Sequence, residues 1–254
     1  MRHSISHTLL ITLLAVIISC RAPLVQTGTE TRNIPVAEAT NPLDSNIIRL
    51  YLPYKNLLDK DMNRVISYSE SEMEKDKPES LLTNFLGDLL LEEAGKTELA
   101  QTENIVPSVS FFNYGGIRTS LPKGDITVGK VYELMPFENE LVYLKLDGNT
   151  MKEFLDYIAR KGGDSVGGVR LKISDGKAVD IKIGGQDFDA GKAYWLVTND
   201  YVAGGGDGLE VLKQRLDYKT TGLLIRELII QNLEAKQKNH ETIHVTLDGR
   251  ISNE

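Results

Sequence analysis

Glu140-Leu141-Val142-Tyr143-Leu144-Lys145-Leu146-Asp147-Gly148-Asn149-Thr150-Met151-Lys152-Glu153-Phe154-Leu155-Asp156-Tyr157-Ile158 changes its apolar period in the middle. Up to Leu146 the side chains alternate. Leu141, Tyr143 and Lys145 fall on one side and Val142, Leu144 and Leu146 on the other, which is the period of a strand. Asp147-Gly148 is a turn signal. Beyond it, Met151, Phe154, Leu155 and Ile158 share one face at helical spacing and predict an amphipathic helix over residues 149–161.

The same alternation of strand and helix extends in both directions. Upstream, apolar residues at helical spacing predict a helix over residues 47–68, with Pro53 limiting its first turn. The clearest helix covers residues 80–94, where Leu81, Leu82, Phe85, Leu86, Leu89 and Leu90 form one stripe before Gly95. Residues 108–112 read as a buried strand. Asp125-Ile126-Thr127 reads as a helix start, with Val128, Val131 and Leu134 facing inward. Downstream, strands are expected at 169–173, 178–183 and 194–198, then a helix near 221–234 and a strand near 244–247. No internal repeat is visible. The pattern predicts an α/β (α+β) domain of mixed sheets layered with helices, with its sites on loops at strand ends.

The 254 residues include a leader that does not belong to the fold. Arg2 and His3 precede an apolar run over residues 9–18, too short to span a bilayer and consistent with a secretory signal over residues 1–19. Ile17-Ile18-Ser19-Cys20 is similar to a bacterial lipoprotein processing site, and Cys20 is the only cysteine. The reading is an exported, membrane-anchored lipoprotein, periplasmic or on the cell surface; a secreted protein with a stray cysteine is the other reading. Residues 20–41 lack an apolar period and read as a flexible tether. The folded part is then a single domain over residues 42–254. A formal charge of −7 argues against a general nucleic-acid binder.

Two glycine-rich stretches carry the candidate chemistry. In Asn113-Tyr114-Gly115-Gly116-Ile117-Arg118 the glycines allow close approach of a ligand, and Arg118 offers a fork of donors for a phosphate or carboxylate. The plain reading is a tight turn with a surface arginine. In Asn199-Asp200-Tyr201-Val202-Ala203-Gly204-Gly205-Gly206-Asp207-Gly208, Asp207 can accept two hydroxyl hydrogen bonds from a ribose, or simply cap a flexible turn. The spacing fits neither the dinucleotide fingerprint nor a Walker loop. Phe137 and Asn139, in Met135-Pro136-Phe137-Glu138-Asn139, and Tyr201 flank polar loop residues. Each ring is either core or a stacking surface for a base.

Taken in order, these stretches resemble the C-terminal domain of the 5′-nucleotidase and UDP-sugar hydrolase family. The resemblance runs over about residues 44–253. It includes Glu79-Ser80 with Asn84 and Asp88, the Asn113–Arg118 stretch, Gly124-Asp125-Ile126-Thr127, Met135–Asn139, Leu146-Asp147-Gly148, Gly205–Gly208 and Asp248-Gly249-Arg250-Ile251. It implies a substrate-recognition domain. A base would sit between Phe137 and Tyr201 and bond to Asn139. Asp207 would hold the ribose hydroxyls, and Arg118, supported by Asn113, would steer the phosphate or ribose side. Tyr201 stands where the family usually has phenylalanine, with the ring kept. Tyr114 replaces a glycine and brings a bulky side chain near the site. Further family arginines have no arginine counterpart; Lys96 is the nearest basic residue.

Family members that hydrolyse phosphate esters carry a metallophosphoesterase domain whose two metals clamp the reacting oxygens. The four histidines here, His3, His7, His240 and His244, do not form such ligand motifs. No catalytic or metal-binding residue, and no cofactor, is therefore assigned to this chain. Its expected partners are a nucleotide or nucleoside, the membrane through a lipid anchor, and a separate metallophosphoesterase chain carrying divalent metals. Three readings stand open: the recognition half of a split nucleotidase, a non-catalytic binding lipoprotein for scavenging, and an interaction module that binds no nucleotide.

Overall fold

The computed structural model describes residues 26, 28–33 and 44–254. Cys20, the expected leader and most of the expected tether lie outside the described residues. Residues 51–254 form one compact unit; in the preceding unit, residues 26 and 28–33 lack regular structure and residues 45–50 begin a helix.

In chain order the elements are α1 (Ser45–Met62), β1 (Val65–Ser69), α2 (Leu81–Lys96), α3 (Glu98–Glu103), β2 (Val109–Phe112), β3 (Gly124–Thr127), α4 (Val128–Leu134), β4 (Glu140–Asp147), α5 (Gly148–Arg160), β5 (Ser165–Gly167), β6 (Val169–Ser174), β7 (Lys177–Ile183), β8 (Gln186–Asp187), β9 (Ala193–Asn199), α6 (Asp200–Ala203), β10 (Asp217–Leu224), α7 (Ile225–Lys238) and β11 (Ile251–Asn253). The central sheet has the order β10-β4-β9-β2-β5, a second sheet has the order β11-β6-β7-β8, and β1 pairs with β3.

Both faces of the central sheet are covered, which explains why its strands are apolar on both sides. Leu141, Tyr143, Phe112 and Val197 enter one core with residues of α2, α4 and α7. Val109, Phe111, Val142, Leu144 and Leu196 enter the other, with Met151, Phe154, Leu155 and Ile158 of α5 and the inner face of the second sheet. The turn at Asp147-Gly148 is an N-cap: the Asp147 carboxylate accepts from Thr150 N–H at 2.8 Å, ending the strand and starting α5. Helix α2 starts at a capping box between Ser80 and Thr83. It lies so close to β5 that a Cβ on Gly87 would collide with the Val166 backbone, so glycine is required there.

The first and last stretches of the family resemblance meet each other, away from the glycine loops. Arg250 makes paired bonds of 2.7 and 2.8 Å to Asp88 and a second pair of 3.1 and 2.9 Å to Asp248. Glu79 accepts from Asn84 at 2.6 Å and from Asp248 N–H at 2.8 Å. Burial works against the Arg250 charge, but its hydrogen bonds to Asp88 and Asp248 outweigh that and raise its pKa. These motif residues fasten the C-terminal strand to α2.

Four expected boundaries are corrected. The helix expected over residues 47–68 ends at Met62, because β-branched Val65 and Ile66 belong to the strand that pairs with β3. The helix start at Asp125 is a strand, with Thr127 as the true N-cap of α4. The helix expected near 221–234 begins at Ile225. Residues 217–224 are the edge strand β10, and the Glu140 carboxylate holds the Thr221 and Gly222 N–H groups at 2.8 and 2.6 Å. The strand expected near 244–247 is not formed: side chains of Asn84 and Glu79 take the Thr246 carbonyl and the Asp248 N–H, and the last strand is β11.

Candidate functional site

Strands β2 and β9 are adjacent and parallel, so their carboxyl ends open at the same edge of the sheet. The two glycine stretches follow these ends. Strand β4 is antiparallel to β9, with Leu141 opposite Asn199, so the Met135–Asn139 stretch arrives at the same edge. Clefts outside the carboxyl ends of parallel strands are common ligand sites in sheets of this kind. Here one holds about 350 Å³, lined by Asn113, Gly115, Gly116, Arg118, Phe137, Asn139, Tyr201 and Asp207. All six candidate binding residues therefore meet at one cavity.

Each wall has its own support. Residues 114–116 form a single 3-10 turn, closed by Gly116 N–H to the Asn113 carbonyl at 2.8 Å. Arg118 is fixed in the chain by its N–H to the Leu134 carbonyl at 2.9 Å, and its guanidinium lies 5.9 Å from the Phe137 ring centroid. Buried Arg226 of α7 reaches the Phe137 carbonyl at 3.2 Å, and Ile225 N–H reaches that of Asn139 at 2.9 Å. Phe137 is 41% exposed and Tyr201 is 50% exposed. Both values are high for large aromatic residues flanking a folded core.

Asp207 sits at the centre of a hydrogen-bond network. Asn113 Nδ2 donates to its Oδ2 at 2.8 Å and the Tyr201 hydroxyl to its Oδ1 at 2.9 Å. The Tyr157 hydroxyl donates to the Asp207 carbonyl at 2.9 Å. Buried Asn199 donates to Asn113 Oδ1 at 3.0 Å and accepts from Val202 N–H at 2.8 Å, so it joins the two glycine loops while capping α6. Tyr114 does not line the cavity. Its ring lies beside the Lys75 and Lys77 ammonium groups, 4.3 and 4.9 Å from the centroid, and Lys75 bonds the Tyr114 and Ile117 carbonyls at 3.1 and 2.6 Å. Lys96 is bound to Glu92 and Glu93 at 2.6 and 2.8 Å, on the opposite end of α2 from its N-cap.

Sequence reasoning missed Tyr157, Asn199, Lys75, Arg226 and Asp164. Only Asn199 had a local signal, an Asn immediately before an acidic first turn. Asp164 lies buried behind the Tyr114 turn, bonded to Ser165 N–H at 2.9 Å. Burial raises its pKa to about 7, against the pull of the Ser165 N–H and Lys77, with Asp207 adding to the rise.

This shift has a consequence for stability. A carboxyl that titrates near pH 7 when folded and near 4 when unfolded binds more protons in the folded state between those values. Its contribution is therefore fully present below about pH 4, falls as pH rises, and levels off above about pH 7. Urea melts of wild type and Asp164→Asn from pH 4 to 8 are expected to show the variant gaining relative stability with rising pH. Parallel curves would contradict the burial argument.

Comparison with known proteins agrees with this architecture. The family model described as 5′-nucleotidase, C-terminal domain, matches residues 61–214, more than half of the chain. "Protein UshA" of Yersinia enterocolitica is 32% identical over 200 residues, which cover 75% of this chain and 34% of the relative. The "5′-nucleotidase" of Vibrio cholerae is 26% identical over 199 residues, covering 76% of this chain and 34% of the relative. Among solved structures, a 5′-nucleotidase precursor from Thermus thermophilus superposes with a TM-score of 0.65 at 27% identity, covering 85% of this chain and 44% of that one. The chain thus spans about a third of the length of the curated relatives it matches. The matched residues and the shared fold make this chain a member of the 5′-nucleotidase C-terminal domain family.

Proposed function

We propose that this chain is the nucleotide- or nucleoside-recognition part of a split 5′-nucleotidase system, with ester hydrolysis performed by a separate metallophosphoesterase chain. The observation that carries the reading is the convergence of Arg118, Phe137, Asn139, Tyr201 and Asp207 on one cavity. Two rings suit a base, an amide suits its polar edge, a carboxylate suits a sugar diol, and a guanidinium suits a phosphate. Among the described residues no three of His, Cys, Asp and Glu are grouped to hold a metal ion. The metals, and the chemistry they supply, belong in this reading to the other polypeptide. Cys20 serves as the lipidated anchor that displays the domain at a membrane face.

The reading is tested by calorimetric titration with AMP, adenosine and UDP-glucose, with and without a cognate phosphoesterase and divalent metal. Binding by the wild type is expected to weaken roughly tenfold or more in Phe137→Ala, the usual value of one stacked ring face. Phosphate release only in the mixture distinguishes a split enzyme from a scavenging protein, which would bind and release nothing. An absence of binding by every ligand would overturn both.

A further inference from the structure

We infer that the hydroxyl of Tyr201 is a positioning group that gives the cavity its selectivity for a ligand bearing a cis-diol, by holding the Asp207 carboxylate in register. The inference rests on the nucleoside reading of the cavity and goes beyond it, because a phenylalanine at this position would stack equally well and lack the device.

Asp207 has φ 56° and ψ 17°. This is a left-handed conformation that an L-residue adopts at a cost. It is kept there by three side chains from three separate elements: Asn113, Tyr157 and Tyr201. Tyr201 does most within the loop itself. Its hydroxyl donates to Asp207 Oδ1 at 2.9 Å and accepts from the Asp207 N–H at 3.3 Å. Its ring lies against Gly206, where any Cβ would collide with it, so loop and ring fit only because residue 206 is glycine.

The number of acceptor sites then favours a particular ligand. A carboxylate offers about four lone-pair directions. Asn113 uses one on Oδ2 and Tyr201 one on Oδ1, which leaves one on each oxygen. Two adjacent hydroxyls, each donating to a different oxygen, match that remainder. Without the Tyr201 hydroxyl, Oδ1 loses its fixed donor and the carboxylate is held by Asn113 on Oδ2 alone, which leaves it more room to turn about its side-chain torsion. Ordering it then counts against binding of the diol. The base, which faces the rings, is unaffected.

The test compares adenosine with 2′,3′-dideoxyadenosine, titrated into the full chain as wild type and as Tyr201→Phe, with circular dichroism confirming that the variant folds. Wild type is expected to prefer adenosine. Tyr201→Phe is expected to reduce that preference about fivefold, the usual net worth of one hydrogen bond, while the dideoxy ligand binds within about twofold of wild type. An unchanged preference, or an equal loss for both ligands, overturns the inference and leaves the nucleoside reading standing. A wild type that binds both ligands equally does the same. A wild type that binds neither overturns the reading of the cavity and this inference with it.

Discussion

Asp207→Ala is expected to lower affinity for a ribonucleoside by about a hundredfold, the loss of two hydrogen bonds to a charged acceptor at about 1.5 kcal/mol each. The effect should be large because the network around this residue is built to serve it. Asn113, Tyr157 and Tyr201 all aim donors at it, and Asn199 aims Asn113. Removing the carboxylate also leaves the Asn113 amide and the Tyr201 hydroxyl without their acceptor. Asp207 itself is exposed, so the fold should survive and the loss should appear in binding alone. Isothermal titration with adenosine measures it. A loss below about threefold would mean that the carboxylate does not touch the ligand, since even one weak hydrogen bond contributes that much.

Phe154→Ala is the substitution expected to cost most in stability, about 3–5 kcal/mol. Phe154 is fully buried and packs edge-to-face on Phe111 of β2, with centroids 5.1 Å apart and planes at 88°. The pair joins α5 to the strand that leads into the first glycine loop. The same core holds Met151, Leu155 and Ile158 of α5 with Leu144 and Leu196 of the sheet. These close-packed neighbours cannot all collapse into the space vacated. Urea unfolding of the two proteins measures the difference. A cost under about 1 kcal/mol would show that the second core repacks freely around α5.

Much of this fold was legible because its key transitions are written in adjacent residues. The change of period at Asp147-Gly148 located β4 and α5 and divided the apolar side chains of β4 correctly between two cores. The ring and amide of Phe137 and Asn139, and the aspartate after three glycines, stood out because polar turns expose what they carry. The supports of the site were not legible. Lys75, Tyr157, Asp164 and Arg226 sit on segments that look ordinary by themselves, and their partners are set by the strand order. Arg226 lies early in an amphipathic helix, and nothing local shows that its guanidinium reaches two carbonyls of the Met135–Asn139 stretch. The end of the chain misled for a related reason. Residues 244–250 satisfy their backbone through side chains such as Asn84 and Glu79 instead of a strand ladder, and side-chain clamps leave no periodic trace.

The three turns that wall the cavity are tied to one another as well as to the scaffold: the 135–139 turn to α7 through Arg226 and Ile225, to the first glycine stretch through Arg118 N–H on the Leu134 carbonyl and to the second through Glu140 N–H on Asp200, and the two glycine stretches to each other through Asn113 and Asn199. Such a layout is interlocked. Met135, which opens the 135–139 turn, is fully buried in the core, so a change in that turn is felt both in the packing beneath it and in the two walls facing it.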